Sequence, residues 1–413
     1  MPVDRLKDSI RAEIEKLRRT GILKPPERII TGFIPSNEIE GSRFLLEGER
    51  DKKFLRMNSN NYLGLAQHPK LIEAERKASE ELGVNPGAVR FIDGTTKYHK
   101  KLEEKLANFH NKESAKIFSC AYMANLGVAL SLINKMTYVI SDELNHNSVV
   151  RAIRIAGVSS ENKAIYQHND VDGLRKALEN IQNRIERTII IFDGVFSMRG
   201  DYAPLKEIVK LAREHDKRFK DGVITIIDDS HGTAAFGVTG RGTLEVTGEY
   251  GVDVITSTLG KAFGAEGGYA AACKEIIEII RQKADTYIYS NPISPGTANA
   301  GISAVDIVNS EEGKKLLTRV RENSEHFRKG IRDIGFETIP GIHPIIPVLI
   351  RDTNKVKEMV LELYEMGILV TGLTTPVVPS GNETIRVQIS AVHTKDDLDY
   401  ALNKFREVKG GRK

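Results

Sequence analysis

Residues 223–261 read VITIIDDSHGTAAFGVTGRGTLEVTGEYGVDVITSTLGK. Two short apolar runs, VITII and VDVIT, each give way to polar residues: Asp228-Asp229-Ser230-His231 after the first, and the stretch from Ser257 to Lys261 after the second. Runs of this length, β-branched and apolar throughout rather than alternating, suit strands buried on both faces. The same form recurs upstream in AKIFSCAY (115–122), TYVISDELNH (137–146), KAIYQHND (163–170) and RTIIIFDGVFS (187–197), with helical stretches between. This rhythm predicts an α/β fold, a mainly parallel sheet covered by helices on both faces. Because each run turns polar at its C-terminal end, the polar residues gather along one edge of the sheet, where ligands bind in open α/β folds.

Beyond about residue 300 the pattern changes. A long charged helical stretch (310–335), the run HPIIPVLI (343–350), a helix around VKEMVLELYEMG (356–367) and TIRVQISA (384–391) read as a smaller α+β domain. At the other end, Leu6, Ile10, Ile14 and Leu17 recur at helical spacing among charges, predicting an amphipathic helix over residues 4–19. The expected division is an N-terminal helical arm (1–57), a large α/β domain (58–300) and a small C-terminal α+β domain (301–413).

The 413 residues are enough for a large core, and 28% charged residues against 40% hydrophobic ones exclude a disordered or coiled-coil chain. A net charge of +4, spread evenly, gives no footprint for nucleic-acid binding. With Cys120 and Cys273 the only cysteines, neither a disulfide framework nor a cysteine metal site is expected, and a cytoplasmic setting fits best. The charged N-terminus has no apolar signal core and no run reaches membrane-spanning length, so export and membrane insertion are not expected.

Four stretches at strand ends carry candidate chemistry. In STLGKAFG (257–264) a P-loop is excluded, because Ile255 and Ala262 stand where it needs glycine and Ser or Thr. A desolvated Lys261 flanked by small residues suits an amine that adds to a carbonyl, although a lone lysine is more often simply solvated. Asp228 could pair with a protonated pyridine nitrogen and His231 with a phenolic oxygen, while a metal pair or a helix cap explains the same residues. His146 could stack on a ring and move a proton, or be a loop histidine bonded to backbone. The small residues of 119–125, where a strand runs into a helix, offer backbone N–H groups to a phosphate, or serve packing alone.

Taken together, these stretches resemble the α-oxoamine synthases, fold-type I pyridoxal-phosphate enzymes that join an amino acid to an acyl-CoA. The resemblance runs from about 58 to 405. It rests on NNYLGLAQHP, RFIDGTTKYHKKLE, AYMAN, SDELNHNS, DGVFSM, IDDSHG with GRG, STLGKAFG, YIYSNPISP and TIRVQISAVHT, in the family's order. Within the family, GILVTGLTTPVVPSG (367–381) and IRVQISAVHT (385–394) are most similar to the glycine C-acetyltransferase branch. The resemblance implies a mainly parallel seven-stranded sheet in the large domain, pyridoxal 5'-phosphate as cofactor, and a homodimer with its sites at the interface.

It further implies a role for each matching residue. Lys261 would form the aldimine and move protons, Asp228 would hold the pyridinium, His231 the phenolate, His146 the ring face, and Ser197 the ring's polar edge. The phosphate would rest on Ala121, Tyr122 and Thr258, with Ser290 and Asn291 reaching across from the neighbouring subunit. Asn60 and Arg386 would grip the amino acid carboxylate, for which a guanidinium offers two parallel charge-assisted bonds. The implied reaction condenses glycine with acetyl-CoA to 2-amino-3-oxobutyrate and CoA, His146 serving as the acid beside the developing oxyanion. The alternatives are 8-amino-7-oxononanoate synthase, with alanine and a longer acyl-CoA, or another amino acid and acyl-CoA pair; a non-catalytic partner subunit or a regulator on the same fold is disfavoured by Lys261 and by the absence of an added DNA-binding domain. Arg199, Ala234 and Pro292 depart from the family pattern, and the last two bear on the acyl pocket or the subunit contact.

Overall fold

The computed structural model describes residues 2–37 and 40–410. Residues 1, 38–39 and 411–413, which the expected arm and C-terminal domain include, lie outside the described residues.

Seven strands form the central sheet: β1 (Ser114–Phe118), β2 (Thr137–Asp142), β3 (Lys163–Tyr166), β4 (Arg187–Asp193), β5 (Val223–Asp228), β6 (Val254–Thr258) and β7 (Gly268–Ala272). Their order is β1-β7-β6-β5-β4-β2-β3, and all neighbours are parallel except β7, which runs antiparallel to β1 and β6. The mainly parallel seven-stranded sheet is therefore present.

Period-two geometry explains why the runs are apolar throughout. Along β4, Ile189 and Ile191 pack on one face with Val149 and Ile153, while Ile190 and Phe192 pack on the other with Leu174, Ile208 and Leu211. Each such side chain stabilises the fold by about 1.5–3 kcal/mol on burial. A polar residue inside these strands would face a helix on either side; at their ends it faces open space.

The C-terminal unit has a four-stranded antiparallel sheet of β8 (Glu337–Thr338), β9 (Ile345–Leu349), β10 (Thr371–Leu373) and β11 (Thr384–Gln388), ordered β8-β9-β11-β10. Phe327, Ile346, Val387 and Phe405 form its core together with Leu55 and Met57 from the other end of the chain. Leu55 and Arg56 also pair in parallel with Ile368 and Leu369, and Arg43 forms an ion pair with the buried Asp397. Residues 43–57 thus pack on the C-terminal unit.

The helix Pro2–Arg19 forms where the spacing places it, and its apolar stripe of Val3, Leu6, Ile10 and Ile14 stays exposed on this chain. No helix among the described residues is long and apolar enough to cross a membrane.

Candidate active site

Strands β4 and β5 end side by side, with Asp193 opposite Asp228 in the parallel register. Two carboxylates at adjacent strand ends repel, and burial adds to the cost of charging both. Burial first, and then the charge of Asp228, pushes the Asp193 carboxyl well above its usual range; the backbone N–H of His146, 3.1 Å away, and Lys261 oppose this.

Asp228 is held by donors on both oxygens: Oδ2 accepts from Asn125 Nδ2 at 2.6 Å, and Oδ1 accepts from the N–H of Ser230 at 3.0 Å. Asn125 is fixed in turn by Thr256 Oγ1, which donates to Asn125 Oδ1 at 2.6 Å. The neighbouring Asp229 points away, accepting from Thr243 Oγ1 at 2.6 Å, and burial raises its pKa to about 7. One carboxylate of the DDSH pair faces the site and the other ties down the following loop. The two carboxylates therefore do not converge on one point.

Ala121, Tyr122, His146, Ser197, Asp228, His231, Thr258 and Lys261 line one cavity of about 200 Å³. Asp193, Val195 and Ser230 complete its wall. His231 is buried; its Nδ1 shares a 2.8 Å hydrogen bond with the Tyr62 hydroxyl, so the ring meets a bound group through Nε2. Burial, with the charges of Lys261 and Arg386, holds His231 well below its usual pKa, and so neutral. His146 caps the helix Asn147–Ile155 through Nδ1, and partial burial lowers its pKa although the residue keeps an exposed surface.

Lys261 lies on the turn after β6. Burial lowers its pKa to about 8, against the opposing pull of Asp228 and Asp193. Gly264, at φ 67°, packs its backbone against residues 65 and 66, where a Cβ would come within 2.3 Å of the Ala66 nitrogen. Lys261 also lines a second, larger and polar cavity of about 570 Å³ with Arg56, Asn58 and Asn60. It is the one residue common to both walls.

The smaller cavity fits pyridoxal phosphate. Helix Ala121–Leu132 starts at its edge without a side-chain cap, so its first N–H groups are free for an anion. Gly268 permits that approach, since a Cβ there would lie 2.1 Å from the Ala121 nitrogen. Ser230 Oγ lines the cavity buried and without a partner, and the Asp228 carboxylate on the same wall can accept from a ring N–H.

Four expected residues lie outside this cavity. Asn60 Oδ1 accepts from Gln388 Nε2, and Arg386 Nη1 donates to Gln388 Oε1 at 3.2 Å. Arg386 Nε and Nη2 are buried with no partner. They form a bidentate fork on β11, an inner strand rather than an edge. Ser290 and Asn291 line neither cavity of their own chain, and Asn291 is exposed.

Among the departures, Arg199 Nε donates to Asp201 Oδ2 at 2.7 Å. Ala234 is fully buried and keeps a left-handed backbone, φ 62°, at a cost of roughly 1–2 kcal/mol. Neither Ala234 nor Pro292 lines either cavity beside Lys261.

Sequence reading passed over His168 altogether. Its Nδ1 meets Asp142 Oδ1 at 3.3 Å and its Nε2 meets Asp201 Oδ2 at 3.1 Å, with its ring edge-on to Phe196 at 4.3 Å. It joins the loop bearing His146 to the turn bearing Ser197. Burial would lower its pKa, but the bonds to Asp142 and Asp201 prevail and raise it to about 9. Because the folded value is raised, its stabilising contribution is complete below the unfolded value near 6.5 and is lost as pH rises through about 9. Thermal unfolding of the cofactor-saturated protein should therefore show His168→Gln destabilised by about 2–3 kcal/mol at pH 6, the gap closing above pH 9. A gap independent of pH would contradict the charged clamp.

Comparison with known proteins places this geometry. Residues 52–405 match the model of the family described as aminotransferase class I and II. An 8-amino-7-oxononanoate synthase from Thermosipho melanesiensis is 39% identical over 370 residues, covering 89% of this chain and 91% of its own. The chain belongs to the aminotransferase class I and II family. Within it, it is a fold-type I, pyridoxal-phosphate-dependent α-oxoamine synthase. A second 8-amino-7-oxononanoate synthase, from Thermoanaerobacter pseudethanolicus, is 36% identical over 402 residues, covering 97% of this chain and 96% of its own. A serine palmitoyltransferase structure from S. paucimobilis, with pyridoxal phosphate and myriocin bound, superposes with a TM-score of 0.85 at 26% identity, covering 98% and 97%. The glycine C-acetyltransferase branch expected from residues 367–381 and 385–394 finds no support among these relatives; they favour the alternative. When bound, the cofactor supplies an electron sink for charge developing on the amino acid's α-carbon.

Proposed function

We propose that this α-oxoamine synthase condenses alanine with a heptanedioyl thioester of coenzyme A to give 8-amino-7-oxononanoate. The similarity to 8-amino-7-oxononanoate synthases over nearly the whole chain carries this reading. The product's structure dictates the substrates: carbons one to seven come from heptanedioyl, and carbons eight and nine from the α-carbon and methyl of alanine. A bond forms between the α-carbon and the thioester carbonyl, the carbon–sulfur bond breaks, CoA leaves as the thiol, and the alanine carboxylate departs as CO₂. One proton is taken up per turnover.

The residues divide the work. Lys261, its amine half neutral near pH 8, holds the cofactor's carbonyl and moves the proton at the α-carbon. Asp228 keeps the ring nitrogen protonated, His231 bonds the ring oxygen, His146 covers the ring face, and Ser197 meets the ring's polar edge. The backbone at Ala121 and Tyr122, with Thr258, receives the phosphate; Asn60 and Arg386 take the amino acid carboxylate. Ser290 and Asn291 serve the neighbouring subunit's cavity in a homodimer, the commonest closed assembly. Light scattering should then give twice the chain mass, and an active species of single-chain mass would contradict it.

The deciding experiment pairs alanine, glycine and serine with heptanedioyl-, acetyl-, succinyl- and palmitoyl-CoA and follows free thiol and CO₂ together. Thiol and CO₂ released in step from alanine with heptanedioyl-CoA support the proposal. Thiol released from glycine with acetyl-CoA, and not from alanine with heptanedioyl-CoA, returns the chain to the acetyltransferase branch.

Arg386 offers a sharper check. Replacing it by Gln removes two donors aimed at a carboxylate, each charge-assisted bond worth about 1.5–3 kcal/mol. KM for the amino acid should rise roughly 10²–10⁴-fold in Arg386→Gln, with partial recovery in Arg386→Lys. An unchanged KM would remove Arg386 from the carboxylate site.

A further inference from the structure

Around Lys261 lie two guanidinium groups with no carboxylate partner among the described residues. Arg386 is one, close enough that its charge helps lower the pKa of both Lys261 and His231. The other is Arg56, on the wall of the larger cavity that opens beside Lys261. Arg56 makes no ion pair or side-chain hydrogen bond among the described residues. Its guanidinium sits over the Phe44 ring at 5.1 Å, and its backbone is pinned by pairing with Leu369 and by His393 Nε2, 3.2 Å from the Arg56 carbonyl.

Such a position is costly to keep for structure alone. A half-buried cation without a counter-ion pays for desolvation with no Coulombic return. The Phe44 ring face, 5.1 Å away, offsets only part of that cost. The cavity around it is polar, with Asn58, Ser59, Asn60, Asn61 and Gln67 on its wall. Asn58 Oδ1 is itself buried and unpartnered. The cavity's other charged groups are Lys261, on the wall shared with the cofactor cavity, and Glu75 and Glu266, both exposed.

The proposed reaction brings two carboxylates to Lys261. Alanine carries one at the reacting carbon, and the heptanedioyl chain carries the other five methylenes beyond its thioester carbonyl. We infer that Arg56 binds the remote carboxylate of the acyl donor, so that the larger cavity selects ω-carboxyacyl thioesters over plain acyl chains. The inference rests on the reaction proposed above. It gives the two unpaired guanidiniums separate tasks: Arg386 takes the carboxylate at the reacting carbon, and Arg56 the one at the far end of the acyl chain.

The test compares heptanedioyl-CoA with heptanoyl-CoA, a chain of equal length ending in methyl, as substrates with alanine. Kinetics are measured on cofactor-loaded wild type, Arg56→Gln and Arg56→Lys, with cofactor content and Tm confirming that each is folded. Wild type should favour heptanedioyl-CoA in kcat/KM by about 10–100-fold. That ratio should collapse toward one in Arg56→Gln, through a higher KM for heptanedioyl-CoA, and recover in part in Arg56→Lys. If Arg56→Gln instead loses the same factor on both thioesters, Arg56 serves the phosphates of CoA and the inference is overturned. A ratio that survives the substitution overturns it too. Both outcomes leave the alanine and heptanedioyl reading standing. If wild type turns over neither heptanedioyl-CoA nor heptanoyl-CoA yet works with glycine and acetyl-CoA, the reading itself falls and takes the inference with it.

Discussion

Lys261→Ala should lose at least about a thousandfold in kcat, because positioned proton transfer alone contributes roughly 10²–10⁴-fold and the role proposed for this lysine also includes holding the cofactor. The structure explains why no neighbour can take over. Lys261 is the one residue shared by the two cavities, so its amine alone can reach from the cofactor side to the substrate side. The other bases on the cofactor wall are committed elsewhere: His231 to Tyr62 through Nδ1, and His146 to Ser148 Oγ at 2.7 Å. The variant should also release pyridoxal phosphate on gel filtration that leaves wild type loaded. Cofactor capture by stripped wild type should speed up as pH rises and level off above about 8, where the amine is neutral. Substantial turnover by Lys261→Ala, or capture flat across that range, would overturn the assignment.

The strand-end residues of this site were legible because each belongs to a local pattern: an apolar run, a polar end, a turn of small residues. Seven residues in such patterns, with Ser197 from the resemblance, converge on one cavity, since parallel strands leave a single edge for their C-terminal ends. What sequence did not disclose are the partners those residues hold. Asn125 bonds Asp228 across 103 positions, Tyr62 bonds His231 across 169, and Gln388 bonds Asn60 across 328. Such pairs have no period or spacing and exist only once the chain has folded. Asp193 stood inside DGVFSM and drew no attention, because the feature that matters, its register opposite Asp228, belongs to strand pairing.

The branch expected from residues 367–381 and 385–394, which the relatives do not support, has a different cause. Those residues are only a short part of the match, whereas the preference for one acyl chain over another rests on pocket contacts worth about 1–3 kcal/mol per methylene. Arg56, in a strand of two residues, carried no motif at all. Its significance lies in what it lacks, a counter-ion, and that cannot be seen without the surrounding wall.

Asp228→Asn tests the electronic half of the site, and its effect should rival that of the lysine. The substitution keeps the shape but exchanges a full negative charge for an amide, whose NH₂ cannot accept a proton from a pyridinium. Without that anion the ring nitrogen loses its proton, and charge from the α-carbon has no cation to flow into. Removing a buried charge partner costs about 3–5 kcal/mol, which corresponds to roughly 10²–10⁴-fold in rate. Asn125 makes the damage worse: its Nδ2, now donating to Asp228 Oδ2 at 2.6 Å, would face an amide in either orientation with one fewer acceptor. Asp193 gives the effect a second signature. Its pKa is raised in part by the charge of Asp228, so in Asp228→Asn it should ionise at lower pH. The relieved Asp193 cannot substitute for Asp228, because its carboxylate is turned to the backbone N–H of His146. Asp228→Asn should therefore bind pyridoxal phosphate, show an altered absorbance spectrum for the bound ring, and lose kcat with little change in KM for the amino acid. Near-normal kcat with an unaltered spectrum would mean that some other group protonates the ring.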